Sequence, residues 1–254
     1  MVGLTERVAL VTGAGGGIGR GIAHRLAAVG AAVVVNDVNG EGAEAVVAEI
    51  VAAGGQAAVA VGSVSDEAQA EAAVAVASET FGSLDILVNN AGITRDGVLH
   101  KMTDEQWDIV HDVVLRGVFV MCRAAAPELR RRDAGFNRKV VNISSAAGVY
   151  GYAGTTNYSA AKAGVIGLTK ALAREWARSG VNVNAIAPGM IANTKITAGK
   201  PTEMMDQIER AIPIGRPGEP EDVAALVHFL VSADSDYITG QVIELHGGLE
   251  LLPL

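Results

Sequence analysis

The chain has 254 residues, of which 50% are hydrophobic and 4% aromatic, and its formal net charge is −8. This acidic balance argues against a nucleic-acid partner, and no segment approaches the roughly 20 consecutive apolar residues that span a bilayer. The single cysteine, Cys122, and the lack of a signal-peptide pattern predict a cytoplasmic protein without disulfides or a membrane partner.

Short apolar runs alternate with longer helical segments along the whole chain. The runs are rich in β-branched residues, and each is followed by Gly, Asn, Asp, Ser or Pro, which is typical of buried strands. The predicted strands are residues 7–12, 32–37, 57–61, 86–89, 139–144, 182–187 and 241–245. The predicted helices are residues 18–29, 41–53, 66–81, 104–131, 156–179 and 220–232.

This alternation predicts one α/β domain over residues 1–254, with a Rossmann-type, doubly wound fold. Right-handed strand–helix–strand units place the seven strands in a parallel sheet with helices on both faces. The stretch 192–218 is interrupted by Pro201, Pro213 and Pro217. We therefore expect an irregular flap there that faces the substrate.

The turn after the first predicted strand is rich in glycine and is the first candidate binding element. A backbone without Cβ atoms can approach a pyrophosphate closely, and the N-terminus of the following helix favours the anion. Such a turn can also be merely tight, but its position between a strand and a helix favours a dinucleotide site. We assign Gly13, Gly17, Ile18 and Gly19 to cofactor binding.

Two further strand ends carry residues that suit a dinucleotide. Asp37 ends the second strand, where its carboxylate can accept both hydroxyls of the adenosine ribose and would repel a 2′-phosphate. No lysine or arginine in the glycine turn or directly after Asp37 would neutralise that phosphate, so the sequence predicts NAD rather than NADP. After the fourth strand, Asn90, Ala91 and Gly92 leave room for a cofactor ribose, although an ordinary loop can have the same composition.

A tyrosine and a lysine at helical spacing, Tyr158 and Lys162, share one face of the fifth predicted helix. A phenol has a pKa near ~10, and a neighbouring ammonium would lower that pKa and make Tyr158 a usable proton donor and acceptor. Ser145 follows the fifth predicted strand, and its hydroxyl can hydrogen-bond the substrate oxygen. Each feature alone is common, but their combination predicts catalysis by these three residues. We predict no metal site.

With these motifs in this order, the sequence closely resembles the short-chain dehydrogenase/reductase family over residues 8–248. The resemblance implies that Ser145, Tyr158 and Lys162 are catalytic, that Lys162 also holds the nicotinamide ribose, and that the protein is a homotetramer. It further implies that the Ile191 amide reaches the carboxamide of the nicotinamide. The other cofactor residues implied in this way are Ser63, Val64, Pro188, Gly189 and Thr194.

Three positions depart from the family pattern. Val114 occupies the place where the family usually has an asparagine that helps to hold a water near the lysine. Ser63 stands where an aspartate commonly contacts adenine. Asn193 precedes Thr194, so the threonine comes one residue later than is usual. We interpret all three as adjustments of the site rather than loss of activity.

The resemblance leaves the substrate open. The chain looks most like 3-oxoacyl-carrier-protein reductases, which typically use NADPH, whereas residues 35–37 and 115–117 are similar to NAD-dependent 3-hydroxyacyl-CoA dehydrogenase domains. Our preferred interpretation is an NAD(H)-dependent 3-oxoacyl-thioester reductase or 3-hydroxyacyl dehydrogenase. The alternatives are a dehydrogenase of a small or cyclic secondary alcohol, a noncatalytic dinucleotide-binding sensor, and a mainly structural assembly.

Overall fold

The computed structural model describes residues 3–194 and 202–251. They form a parallel sheet with the strand order β3-β2-β1-β4-β5-β6-β7. The strands are β1 (Val8–Thr12), β2 (Ala32–Asp37), β3 (Gln56–Val61), β4 (Ile86–Asn89), β5 (Arg138–Ile143), β6 (Val181–Pro188) and β7 (Val242–Leu245). The order reverses between β1 and β4, where open α/β sheets bind ligands. The predicted seven-stranded parallel sheet is confirmed.

Helices connect the strands and cover the sheet. They are α1 (Gly17–Ala28), α2 (Gly40–Ala52), α3 (Glu67–Phe81), α4 (Asp104–His111), α5 (Gly117–Leu129), α6 (Ala146–Tyr150), α7 (Thr156–Trp176), α8 (Thr202–Ala211) and α9 (Pro220–Val231). Within the described residues, no helix combines the length and the apolar character that crossing a bilayer requires.

Alternate strand residues face two helical layers. Leu10 and Leu87 are fully buried among residues of α3, α5 and α7. Their neighbours Val11 and Val88 are fully buried among residues of α1, α2 and α9. Strand side chains alternate between the two faces, so a sheet covered on both sides requires strands that are apolar throughout. The predicted placement of helices on both faces is confirmed.

The long helix predicted over residues 104–131 is divided in the structure. α4 ends at His111, a π-helical turn follows over Asp112–Arg116, and α5 then ends at Leu129. Helical composition continues through this segment, so the sequence pattern does not reveal the wider turn. Such turns occur frequently at functional sites, and this one contains Val114.

The prediction that residues 192–218 are irregular is wrong over α8. Pro201 directly precedes this helix and Pro213 follows it, so these prolines flank the helix instead of interrupting it. Ile208 of α8 lines the cavity described below. Residues 195–201 of the predicted flap lie outside the described part of the chain.

Candidate active site

A cavity of about 710 Å³ opens at the carboxyl ends of the parallel strands. Its volume lies in the range of known cofactor and ligand sites. The turns after β1, β4 and β5 all contribute to its wall, so both ends of the predicted site share one space. The predicted site residues that line it are Gly13, Gly17, Ile18, Asp37, Ser63, Val64, Asn90, Ala91, Gly92, Ser145, Tyr158, Lys162, Pro188, Gly189, Ile191 and Thr194.

The glycine turn is shaped by positions that exclude a side chain. A Cβ on Gly13, which has a φ of +62°, would lie 2.8 Å from the Cα of Ala91 in the loop after β4. Beside Gly16 no described atom lies within 4 Å of the Cβ position, which leaves room next to the first turn of α1 for an anion. Gly19 is the predicted cofactor residue that does not line the cavity. A Cβ there would collide with the carbonyl oxygen of Gly13, so Gly19 permits the packing of the turn on its helix.

Asp37 lies at the end of β2, on the wall of the cavity. Its Oδ2 accepts the amide of Gly15 at 2.9 Å, and its Oδ1 accepts the amide of Asn39 at 2.9 Å. A carboxylate oxygen can accept more than one hydrogen bond, so both oxygens can still bind ribose hydroxyls. With the open glycine turn, the residues present fit the adenosine half of a dinucleotide.

The loop after β4 is fastened to the glycine turn by Asn90. Its side-chain amide donates to the carbonyl oxygens of Thr12 at 2.9 Å and Gly13 at 3.0 Å. The hydroxyl of Thr12 accepts the amides of Asn90 at 3.0 Å and Ala91 at 3.1 Å. These bonds hold the two loops at a fixed separation.

Ser145, Tyr158 and Lys162 meet where β5 ends against α7. Burial raises the pKa of Tyr158 to about 12; the hydrogen bond with Ser145 opposes this shift, and the charge of Asp96 adds to it. The expectation that Lys162 lowers the phenol pKa is therefore wrong in this structure. The Nζ of Lys162 lies 5.6 Å from the centroid of the Tyr158 ring, and desolvation of the buried phenol is the largest cause of the shift in its pKa.

Lys162 itself is buried and held by the backbone. Its Nζ donates to the carbonyl oxygen of Ile143 at 2.6 Å. Burial lowers the pKa of Lys162 to about 8. An ammonium has three donors, so two remain for a ligand in the cavity that Lys162 lines. Gly92 lies beside this ammonium, since a Cβ there would be in van der Waals contact with the Nζ at 3.6 Å.

Val114 lies in the π-helical turn and is fully buried in the core. Its Cγ2 is 3.8 Å from the position that a Cβ on Gly92 would take, so it reaches the surroundings of Lys162. A valine side chain can neither donate nor accept a hydrogen bond. The side chain at this position therefore cannot hold a water, and any such role falls to backbone groups.

The segment after β6 lies across the cavity. Ile191 forms an isolated β-bridge with Gly218. The two hydrogen bonds of this bridge involve the neighbours of Ile191: the Gly218 amide donates to the carbonyl oxygen of Met190, and the Ala192 amide donates to the carbonyl oxygen of Gly218. Backbone groups alternate in direction along an extended chain, so the Ile191 amide is directed away from Gly218. The Cα of Thr194 lies 3.8 Å from the Cβ position of Gly17, which places the segment close to the glycine turn.

Asn157 was not predicted, although it directly precedes Tyr158 and is fully buried. Its side-chain amide donates to the carbonyl oxygens of Arg95 and Gln106, both at 3.0 Å, and its Oδ1 accepts the amide of Tyr158 at 2.8 Å. It thus fastens the start of α7 to the loop after β4 and to α4. A buried polar residue at the start of a helix is the signal that sequence reasoning could have used.

The polar side chains of the cavity wall that were not predicted include three that can carry a charge or donate from a phenol. They are Asp96 in the loop after β4, Tyr152 between α6 and α7, and Glu250 near the carboxyl end of the described chain. None of them belongs to a motif with recognisable spacing, because they come from segments far apart in sequence. The described residues contain no group of three or more His, Cys, Asp or Glu side chains that could hold a metal ion.

Comparison with known proteins decides the family. The family model described as enoyl-(acyl carrier protein) reductase matches residues 13–250. The chain belongs to the short-chain dehydrogenase/reductase family. The 3-oxoacyl-[acyl-carrier-protein] reductase FabG of Staphylococcus aureus is 46% identical to it over 242 residues, which are 95% of this chain and 97% of the relative.

Two further relatives carry the same activity in their names. The FabG of Thermotoga maritima is 42% identical over 97% of this chain and 98% of its own length. The 3-oxoacyl-[acyl-carrier-protein] reductase of Synechocystis is 45% identical over 98% of this chain and 99% of its own length. Membership of the short-chain dehydrogenase/reductase family makes the protein an oxidoreductase that acts on a carbonyl or an alcohol with a nicotinamide dinucleotide.

Proposed function

We propose that this short-chain dehydrogenase/reductase is an NAD(H)-dependent reductase of 3-oxoacyl thioesters, which also oxidises the matching 3-hydroxyacyl thioesters. The observation that carries the proposal is the single cavity that joins Asp37 and the glycine turn to Ser145, Tyr158 and Lys162. The thioester is proposed because relatives covering nearly the whole chain are named as 3-oxoacyl reductases.

The bound nicotinamide would exchange a hydride with the substrate carbon. Tyr158 donates the proton to the carbonyl oxygen during reduction, and its raised pKa keeps the phenol protonated at neutral pH, as a donor must be. Ser145, which is hydrogen-bonded to Tyr158, also binds the substrate oxygen and stabilises the charge that develops there. Lys162 presents its free ammonium donors to the nicotinamide ribose.

The cofactor preference rests on Asp37. Lys162 is the only lysine or arginine among the described residues that line the cavity, and it lies beside the end of β5, three strands away from β2 in the sheet. A 2′-phosphate at the adenosine ribose would meet the carboxylate of Asp37 with no described cation in the cavity wall to neutralise it. Like charges at short range oppose binding, so NAD(H) is the favoured cofactor.

The remaining cofactor contacts are proposed from the wall of the cavity. Ser63 and Val64 would lie against adenine, Asn90 to Gly92 against the ribose, and the Ile191 amide at the carboxamide of the nicotinamide. Pro188, Gly189 and Thr194 would complete the surface around the nicotinamide. Gly19 would support the turn without touching the cofactor.

We also propose a cytoplasmic homotetramer. Support for assembly comes from apolar side chains left exposed on α4 and α5, with Ile109 41% and Phe119 47% exposed. Monomeric proteins rarely leave neighbouring large apolar groups uncovered. Sedimentation equilibrium of the purified chain tests this proposal, and a monomer at micromolar concentration would refute it.

The function is tested by steady-state assays that pair NADH with NADPH. The carbonyl panel contains acetoacetyl thioesters, cyclic ketones and the corresponding secondary alcohols. We expect the highest kcat/KM for an acetoacetyl thioester with NADH, and Asp37→Ser should shift the preference at least tenfold towards NADPH. A strong preference of the unaltered enzyme for NADPH would refute the role given to Asp37. Turnover of cyclic alcohols alone would refute the thioester.

A further inference from the structure

The chain beyond β7 returns to the cavity that holds the catalytic residues. We call residues 246–250 the C-terminal strap. Leu249 and Glu250 of the strap line the cavity together with Tyr152 and Ala153, which lie between α6 and α7. The strap therefore forms part of the wall next to the segment that leads into α7, the helix that carries Tyr158.

Two tyrosine–glutamate hydrogen bonds fasten this end of the chain to the segment that follows the catalytic serine. Tyr150 donates to Glu244 at 2.5 Å, and Tyr152 donates to Glu250. Tyr152 and Glu250 line the cavity, whereas Tyr150 and Glu244 do not. The carboxylate of Glu250 is thus held at the cavity wall by a neutral donor, and it forms no ion pair within the described residues.

The charged side chains of the cavity wall are unevenly distributed. Among the described lining residues they are Asp37, Asp96, Lys162 and Glu250. Asp37 lies at the proposed adenosine end, and Lys162 donates one of its three hydrogen bonds to the carbonyl oxygen of Ile143 and supplies the one positive charge among these residues. Of the remaining pair, Asp96 acts on Tyr158 through its charge, and Glu250 adds a second negative charge to the wall of the same cavity beside Tyr152.

We propose that Glu250, oriented by Tyr152, is a specificity-determining residue that excludes carbonyl substrates carrying a negative charge close to the reacting carbon. In a partly enclosed cavity, like charges a few ångströms apart repel more strongly than in water, since the effective dielectric constant is lower. Discrimination of this kind works against the wrong substrate and needs no contact with the right one.

This inference rests on the proposed function and makes it more specific. In a 3-oxoacyl thioester the carboxyl group is masked, so the atoms around the 3-oxo carbon are neutral. In the free 3-oxo acid a carboxylate stands two carbons from the reacting carbon. The carboxylates of Asp96 and Glu250 in the cavity wall would therefore permit binding of the thioester and oppose binding of the free acid, although the two substrates have the same acyl chain.

The test compares two substrates with the same acyl group, acetoacetate and the acetoacetyl thioester of N-acetylcysteamine. The quantity measured is the ratio of their kcat/KM values, acetoacetate over thioester, at pH 7 with saturating NADH. We expect Glu250→Gln to raise this ratio about tenfold, which corresponds to about 1.4 kcal/mol of transition-state discrimination. Glu250→Lys should raise it further. Glu244→Gln is the matched control and should leave the ratio within about twofold of the unaltered enzyme.

Ionic strength separates an electrostatic role from a structural one. Screening lengths fall from about 30 Å at 0.01 M to about 3 Å at 1 M salt. The kcat/KM ratio of acetoacetate over thioester should therefore rise with salt concentration in the unaltered enzyme, whereas the same ratio should change less in Glu250→Gln. Equal ratios in Glu250→Gln and the unaltered enzyme, with the thioester still turned over, would overturn the inference and leave the proposed function intact. Failure of the unaltered enzyme to reduce the thioester with either NADH or NADPH would overturn both.

Discussion

The ammonium of Lys162 donates a 2.6 Å hydrogen bond to the carbonyl oxygen of Ile143, the last residue of β5. This bond links the helix that carries Tyr158 to the strand that leads into Ser145. The polar groups of the proposed catalytic trio are thus positioned by one sheet edge and one helix. Because the lysine is buried, its pKa falls to about 8, and it is still protonated at neutral pH.

Removing the charge of Lys162 should make stability less dependent on pH. Burial lowers the pKa of Lys162 from its ordinary value of 10.5 to about 8, so the unfolded chain binds more protons between these two pH values. The stability of the unaltered protein should therefore rise with pH across this window. We expect Lys162→Met to be more stable at pH 7 by up to a few kcal/mol, at about 1.4 kcal/mol per pKa unit. The advantage should shrink as the pH approaches 10.5.

Urea unfolding of both proteins at several pH values measures this difference. Lys162→Met also loses the hydrogen bond to Ile143, but that loss is nearly constant while the lysine stays protonated. A stability difference that does not change between pH 7 and pH 10 would contradict the prediction.

Tyr158→Phe should remove the proton donor while keeping the ring in place. General acid catalysis typically contributes about 10²- to 10⁴-fold, so kcat should fall by roughly a factor of 10³. The melting temperature and the binding of NADH, followed by fluorescence, should stay close to those of the unaltered enzyme. Turnover within a factor of two of the original would exclude Tyr158 from the chemistry.

Asn157→Ala should act through the position of Tyr158. The variant loses the bonds to Arg95 and Gln106 and leaves the amide of Tyr158 without its side-chain acceptor. We expect kcat to fall about tenfold with little change in KM, and a loss of about 1–3 kcal/mol in the free energy of unfolding.

A purely structural role of Asn157 would lower stability and leave the kinetics of the folded fraction unchanged. The distinguishing measurement is therefore the pH profile of kcat, taken well below the melting temperature. The alkaline limb of this profile should shift in Asn157→Ala and not in a surface variant such as Lys170→Ala.

Asp85 lies at the amino ends of the strands, opposite the cavity, and we expect it to contribute to stability but not to activity. Asp85 is buried, and it accepts hydrogen bonds from the amide of Val8 at 3.0 Å, the hydroxyl of Ser83 at 2.9 Å and the guanidinium of Arg138 at 3.2 Å. Breaking a buried ion pair on one side is strongly destabilising, so Asp85→Asn should cost about 3 kcal/mol or more. kcat measured below the melting temperature should be unchanged.

Asp133→Asn is the matched control for this prediction. Asp133 binds the same Arg138 at 2.8 Å, but its side chain is 47% exposed. Pairs with an exposed partner contribute little, and we expect a loss below about 1 kcal/mol. Both variants are compared by urea unfolding. Equal losses in their free energy of unfolding would show that burial of Asp85 does not determine the stability that its ion pair contributes.

Much of the fold could be predicted because its signals are local. Every predicted strand limit lies within one residue of the observed limit, since a buried parallel strand must be apolar over its whole length and must end in a turn. The division of residues 104–131 by a π-helical turn could not be predicted, because one extra residue in a turn does not change helical composition. The helix α8 was missed because its flanking prolines were interpreted as interruptions.

The candidate site was predicted to the extent that its residues stand at strand ends or at helical spacing. The cavity contains Gly13, Asp37, Ser145, Tyr158 and Lys162 as expected, because parallel strands bring their carboxyl ends to one edge. The pKa of Tyr158 was predicted in the wrong direction. Its shift depends on how completely the surrounding chain excludes water, which spacing along a helix does not reveal.

The sequence by itself determined the parallel sheet, the glycine-rich turn and the choice of Ser145, Tyr158 and Lys162 as catalytic candidates, because each depends on residues that are close along the chain. Only the tertiary structure brought Glu250 to Tyr152, which is 98 positions away, and both of them to the cavity. Contacts between such distant segments follow from how the whole chain packs. The proposed discrimination between a 3-oxoacyl thioester and the free 3-oxo acid therefore depends on the tertiary structure rather than on a sequence motif.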